Sequence, residues 1–263
     1  MKTRLFCAIV VATAALLLST VGDAANPKYG ETEVTNGGSI SGKVVWEGPA
    51  ANVPPMAINK NTESCDASGS GMRESERLLV SKSGGVANAV VYIEAIAEGK
   101  AVGREDLIIN QQGCRYIPHI TIAPKKSKIT LKSSDDILHN IHMFGAASYN
   151  IPFPDKNSIA KLFRKSGIVR LQCDAGHGWM SSYVHVVEHP YYVVSDTEGN
   201  FELTDVPPGE YTLKMWHEDW VVVNKMMKDG EVAGYEFGEP IEKTLNVTVT
   251  AGEQAKVQFS ISK

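Results

Sequence analysis

Cysteine, histidine and methionine follow one another in Leu171–Met180, Leu-Gln-Cys-Asp-Ala-Gly-His-Gly-Trp-Met, at a Cys-x3-His-x2-Met spacing. A further histidine, His139, stands upstream beside Asn140. Thiolate and thioether favour Cu(I), whereas imidazole serves both Cu(I) and Cu(II). Two imidazoles and a thiolate with a weak thioether suit neither oxidation state strongly, so the rearrangement on electron transfer is small. A short loop can bring Cys173, His177 and Met180 to one point, and His139 must reach it from a neighbouring strand. The set predicts one mononuclear copper ion held by His139, Cys173, His177 and Met180, passing single electrons and catalysing nothing. Asn140 is expected to hydrogen-bond across to the Cys173 loop, and backbone N–H groups near Cys173 to tune the sulfur. The edge of His177 is expected to be exposed, with an apolar docking patch around it.

Taken singly, Cys173 reads as an ordinary buried thiol and Met180 as a gap filler; it is their order with His177 and His139-Asn140 that points to copper. Trp179 reads as packing. His142, three residues from His139, falls on the opposite face of a strand. His119 and His185 read as structural, with a second, weaker metal site as the alternative, and His189 and His217 as structural. A dinuclear site would need another cysteine where Val169 stands. A copper oxidase or nitrite reductase would need additional His-x-His pairs.

The rest of the chain must position these groups. Lys2 and Arg4, the uncharged run Leu5–Leu18 and the small residues Gly22 and Ala24 predict a cleaved secretory signal over Met1–Ala24. The run is shorter than the roughly 20 apolar residues of a spanning helix. No second such stretch follows, so no stable membrane span is expected. The net charge of −4 is spread along the chain, without a basic patch for nucleic acid. Beyond the signal three cysteines remain, an odd count in an exported chain. The sequence allows three pairings. The simplest joins Cys65 to Cys114 and leaves Cys173 free.

Short alternating runs separated by Gly, Pro and Asp turns predict an all-β protein. Among them are Ile40–Glu47, Val86–Ile96, Ile120–Ile122, Ile129–Leu131, Ile168–Cys173, Ser182–Val187, Tyr211–Trp216, Leu245–Val249 and Val257–Ile261. A strand is expected over Asp135–Leu138, a turn or two of helix in Asn157–Arg164, and loops over Asn52–Arg77 and Val223–Pro240. In Ser195–Phe201 and Val206–Leu213, Gly199 is expected at positive φ and Pro208-Gly209 in a type II turn.

Those last two segments, with Ser41-Gly42-Lys43-Val44 and Val86–Glu94, resemble the carboxypeptidase regulatory-like domain, a small transthyretin-like (prealbumin-like) β-sandwich. Tyr116–Val187 resembles a bacterial cupredoxin of the plastocyanin-like, methylamine-utilisation type. The resemblance is carried by Gly113-Cys114-Arg115-Tyr116-Ile117-Pro118-His119, by Leu138–His142 and by the Cys173–Met180 loop. It implies a Greek-key β-sandwich, one copper and electron transfer. Many relatives have two residues, not three, between cysteine and histidine. The expected organisation is a regulatory-like sandwich over 37–96 and 190–263, into which a copper domain over 97–189 is inserted; a tandem arrangement is the rival. The expected setting is the periplasm, as a monomer exchanging electrons with a cytochrome or oxidoreductase. Copper handling or storage, and a carbohydrate- or protein-binding module using Tyr191, Tyr192 and Trp220, are the alternatives.

Overall fold

The computed structural model describes residues 28–228 and 230–263, so the expected signal segment lies outside them. The described chain is all-β, with a single short helix, Thr62–Cys65.

Two β-sandwiches carry the strands. In the first, a four-stranded sheet runs in the order Tyr192–Val194, Val90–Ile93, Gly209–His217, Ile241–Val249. A three-stranded sheet, Asn200–Val206, Gly38–Trp46, Gln254–Ile261, belongs to the same sandwich. Side chains alternate across each strand, so Ile40 and Val44, Phe201 and Leu203, and Phe259 and Ile261 share one interior with Val91, Ile93, Leu213 and Met215. The alternation slips once, between Leu203 and Val206, where Asp205 takes a φ of 54°. This bulge turns Val206 inward. Gly199 has the expected positive φ, 80°, but Gly209 does not, and it opens a strand in place of a type II turn.

The second sandwich pairs Asn157–Leu162, Lys128–Ser133, Leu107–Gln111, Tyr116–Ile117 in one sheet. The other sheet runs Asn150–Phe153, His139–Gly145, Gly167–Gln172, Ser181–Val187, Ile120–Pro124. Ile109, Ile129, Leu131, Ile141, Met143, Val169, Leu171 and Val184 fill its interior. The turn at Lys126, φ 69°, carries the chain from one sheet to the other.

Three local expectations are corrected. Asn157–Leu162 is an edge strand on Lys128–Ser133, not helix. Its Ile159 and Leu162 are exposed and only the following Phe163 is buried, so no apolar stripe at helical spacing exists to be covered. Val222–Lys228 and Glu231–Phe237 form a hairpin where a loop was expected. Asp135–Leu138 is a bend, and His139 itself begins the next strand.

The sandwiches meet on Val90, Ile120, Tyr183 and Trp216, with Tyr92 stacked on Tyr192 at 4.6 Å. Beside this contact lies a buried ionic group. The Arg77 guanidinium pairs with Glu218 at 2.7 Å, and Glu218 also holds His119. Arg77 donates further to the Asp219 carbonyl, Ser181 Oγ and Tyr183 Oη, and lies over the Phe237 ring at 3.6 Å. Burial pushes the His119 imidazole down, but the Glu218 carboxylate against it outweighs this and leaves its pKa raised. Glu218 stays lowered despite its burial because His119 and Arg77 flank it. His119 is therefore structural, as expected. His185 packs edge-on against Trp216 at 4.7 Å.

Burial pushes His185 from 6.5 down to about 4. The unfolded chain then binds this proton more readily than the folded one, so the stability at stake is fully present above pH 6.5 and drains as pH falls to about 4. The His119 contribution has the opposite sign. The melting temperature should fall between pH 6.5 and 4, and His185→Phe should flatten that slope in thermal unfolding followed by circular dichroism. An identical slope in the variant would place the acid sensitivity elsewhere.

Candidate metal centre

Cys173 follows directly on Gly167–Gln172, and Met180 directly precedes Ser181–Val187. The intervening loop turns at Gly176, φ 94°. Because Gly167–Gln172 alternates, Val169, Leu171 and Cys173 all face inward. His139 enters from the adjacent strand, whose pairing sets His142 opposite Gln172.

These placements bring three donor atoms together. Nδ1 of His139 and Nδ1 of His177 lie 3.1 Å apart. The Cys173 Sγ is 3.5 Å from the His177 nitrogen and 3.9 Å from that of His139. All three side chains are buried. Cys173 is unpaired, while Cys65 and Cys114 form a disulfide with an S–S distance of 2.05 Å. Met180 is buried in the same core, its amide bonded to the His177 carbonyl at 2.9 Å. Met180 and Cys173 also line a cavity of about 190 Å³ with Arg77, Met226, Tyr235 and Phe237.

Each imidazole turns its other nitrogen to an acceptor. His139 Nε2 lies 3.0 Å from Asp135 Oδ2, and His177 Nε2 lies 3.0 Å from Asn61 Oδ1. A ring that donates through Nε2 presents a bare lone pair at Nδ1, so both inner nitrogens are left free to ligate. Burial lowers the pKa of His139, against the pull of Asp135. Burial, then the neighbouring His139, pushes His177 down to about 4. Both rings are thus neutral at pH 7. Burial raises the Cys173 thiol, while the backbone N–H groups of Asn140, Ala175 and His177 pull it back toward thiolate. The donor set fits a soft or borderline transition metal.

A second grouping, Cys114 with Asp135 and His139, does not fit a metal. Its sulfur is in the disulfide, and the Asp135 carboxylate already takes the amides of Gly113 and Cys114, both at 2.8 Å. Those two residues, at φ 59° and 57°, are the centre of the four-residue connection, 112–115, between Leu107–Gln111 and Tyr116–Ile117. Positive φ at both positions suits the twist of the paired strands, and it points both amides at Asp135.

Asn140 lies where the sequence suggested, reaching across to the loop. Its Oδ1 accepts from the amides of Asp174 at 2.5 Å and Ala175 at 3.2 Å, while its Nδ2 donates to Asn150 Oδ1. Trp179 packs edge-on against His177 at 5.3 Å and donates to the Cys114 carbonyl. His142 points away from the cluster, toward Asp174 at 2.5 Å.

The expected open edge of His177 is overturned: the side chain is 0 % exposed. Asn61 covers its outer nitrogen, Trp179 its face, and the Lys60 chain packs on Gly176 beside it. Asn61, Asp135 and the hairpin residues Met226, Tyr235 and Phe237 were not legible as parts of this site. Asp135 stands four residues before His139 but in a bend without periodicity, and the others come from distant segments.

An all-β chain of two sandwiches enclosing a buried pair of histidines and a cysteine is what fold and site define. No protein-family model matches the chain, and no curated protein matches it. Among solved structures it is similar to the Cu-containing nitrite reductase of Thermus scotoductus SA-01, with 15 % identity over 37 % of this chain and a TM-score of 0.30. That match spans 25 % of the reductase. It is also similar to a purple cupredoxin of Nitrosopumilus maritimus, at 20 % identity over 31 % of this chain and 98 % of the other, TM-score 0.27. The amicyanin of Paracoccus versutus (Thiobacillus versutus) is 14 % identical over 33 % of this chain and 85 % of its own, TM-score 0.28. At such TM-scores the case for the site stands on its donor atoms alone.

Asn140→Ala would strand the amides of Asp174 and Ala175. It should cost about 1–3 kcal/mol in urea unfolding of the metal-free protein. A change within error would show that the loop is held by other contacts.

Proposed function

We propose that this chain is an exported, mononuclear copper protein of the cupredoxin kind that transfers single electrons between redox partners. One observation carries the proposal: the Nδ1 atoms of two buried imidazoles and the sulfur of a free, buried cysteine lie within 3.9 Å of one another. His139, Cys173 and His177 would hold the ion, with Met180 as the fourth ligand. When bound, copper supplies a one-electron couple between Cu(I) and Cu(II). The chain's own residues do the rest. Asp135 and Asn61 orient the rings, Asn140 pins the loop, and the surrounding core excludes water.

The proposal includes the organisation read from the sequence, a copper domain over 97–189 within a regulatory-like sandwich over 37–96 and 190–263. It is supported by the pairing of Val90–Ile93 with Tyr192–Val194, between which the second sandwich is spelled out. A periplasmic setting with a cytochrome or oxidoreductase as partner, a monomeric state and a role without catalysis complete it. Among the described residues no helix is long and apolar enough to cross a membrane. Because His177 is enclosed, the electron route does not pass through a bare imidazole edge.

Copper handling or storage is the second reading, favoured by the cavity in which Met226 joins Met180 and Cys173. For the binding-module reading, Tyr191 and Trp220 are buried and Tyr192 is stacked on Tyr92, so none of the three aromatics gives it support.

The protein with added copper should bind one ion per chain, absorb strongly in the visible and show a reversible one-electron potential. Cys173→Ser should abolish the absorption. A colourless, redox-silent adduct would end the electron-carrier reading. Ready release of copper to a chelator with slow electron exchange would replace it by copper handling.

A further inference from the structure

Asn61 heads the helix Thr62–Cys65, where an asparagine side chain ordinarily accepts from the amides of the first turn. This one makes no such bond. The amides of Ser64 and Cys65 bond to its backbone carbonyl at 2.9 and 2.8 Å, and its side chain is directed at His177 Nε2. Its backbone is left-handed, with φ 49° and ψ 43°. Asparagine tolerates that region several-fold better than most residues. An exposed polar loop has thus given up a local cap for a contact with a buried ring far away in sequence.

The segment is fastened from behind. Cys65 ends the helix and is bonded to Cys114. Arg73 clamps the same bridge, donating to the carbonyls of Cys65, Gly113 and Cys114 at 2.5, 2.9 and 3.0 Å. On the far side of the bridge the Gly113 and Cys114 amides hold Asp135, which holds His139. The outer nitrogens of both imidazoles are therefore referred to one cross-link, His177 through Asn61 and His139 through Asp135. Asn59 Nδ2 also donates to the Val232 carbonyl at 2.9 Å, tying the segment to the hairpin over the cavity.

We infer that Asn61 is a positioning residue of the metal centre and that the Cys65–Cys114 disulfide is the clip that keeps it in place. This rests on the copper reading above. By accepting the Nε2–H proton, Asn61 fixes His177 in the tautomer whose Nδ1 lone pair faces Cys173. By covering the ring it keeps water from that edge.

Two substitutions separate the contact from the backbone. Asn61→Gly removes the acceptor and accepts a left-handed φ without strain; Asn61→Asp retains an acceptor oxygen. In the metal-free protein the His177 Nε2–H proton should give a slowly exchanging NMR signal in the wild type and in N61D, and lose it in N61G. In the copper-loaded protein, EDTA should extract the ion about 10-fold or more faster from N61G than from the wild type, with N61D restoring the slow rate. A Cys65→Ser, Cys114→Ser double variant should reproduce N61G. Circular dichroism reports whether each variant folds. Should the double variant not fold, the wild type with its disulfide reduced by a phosphine gives the same two readings. N61G with both readings unchanged would overturn the role of Asn61, and a bridge-free chain behaving as wild type would overturn the clip. A wild-type chain that takes up no copper ends the metal reading, whereas the metal-free signal still decides whether Asn61 holds the ring.

Discussion

Two imidazoles buried 3.1 Å apart at their Nδ1 atoms can keep both inner nitrogens bare only if each outer N–H has an acceptor. The surrounding structure meets that demand. Asp135 and Asn61 supply the two oxygens, and neither belongs to a strand. Each is held in turn by backbone amides or backbone conformation, because a loose acceptor would not set a ring. The hairpin turn at Gly113-Cys114 and the left-handed Asn61 are thus explained from the centre outward.

The centre is built by one sandwich and covered by segments of the other. Its donors come from His139–Gly145 and from the loop between Gly167–Gln172 and Ser181–Val187. Its covers come from the segment around Asn61 and from the hairpin of Val222–Lys228 and Glu231–Phe237. Arg77 holds the two parts together: it bonds Ser181 and Tyr183 on one side and Glu218 and Asp219 on the other, with the hairpin's Phe237 beneath it. A guanidinium suits this junction because its fixed donors reach several acceptors at once. The buried charge of Glu218 is offset by Arg77 and by the raised pKa of His119.

What could be read from the sequence was local. Alternation in Ile168–Cys173 placed the cysteine inward, and its order with His177 and His139 singled out the residues that the fold brings together. Asn140 was legible because it adjoins His139. The disulfide followed from an odd cysteine count once Cys173 was set aside. Long-range packing governed the rest. Asn157–Leu162 became a strand because Lys128–Ser133 offered an unpaired edge, which no local pattern signals. The charged, Met-containing stretch after Trp220 reads as a loop because apolar residues such as Val223 and Met227 face solvent and break any clean alternation, yet it pairs with itself into a hairpin. His177 looked open because nothing nearby in sequence announces that residues 60 and 61 fold over it. Asp135 reads from its neighbours as part of a strand, yet it anchors a bend.

The nesting of the chain has a consequence for assembly. Strands of the second sandwich all fall within Leu107–Val187, whereas the first must pair Trp46 with Ile261. Closing the longer loop carries the greater entropic cost, and contacts between distant residues form more slowly than near ones. That topology favours an order in which the cluster of His139, Cys173 and His177 comes together while its outer coverings are still unfolded. In the finished structure all three side chains are buried, so it is the closing of those outer coverings that completes their withdrawal from water.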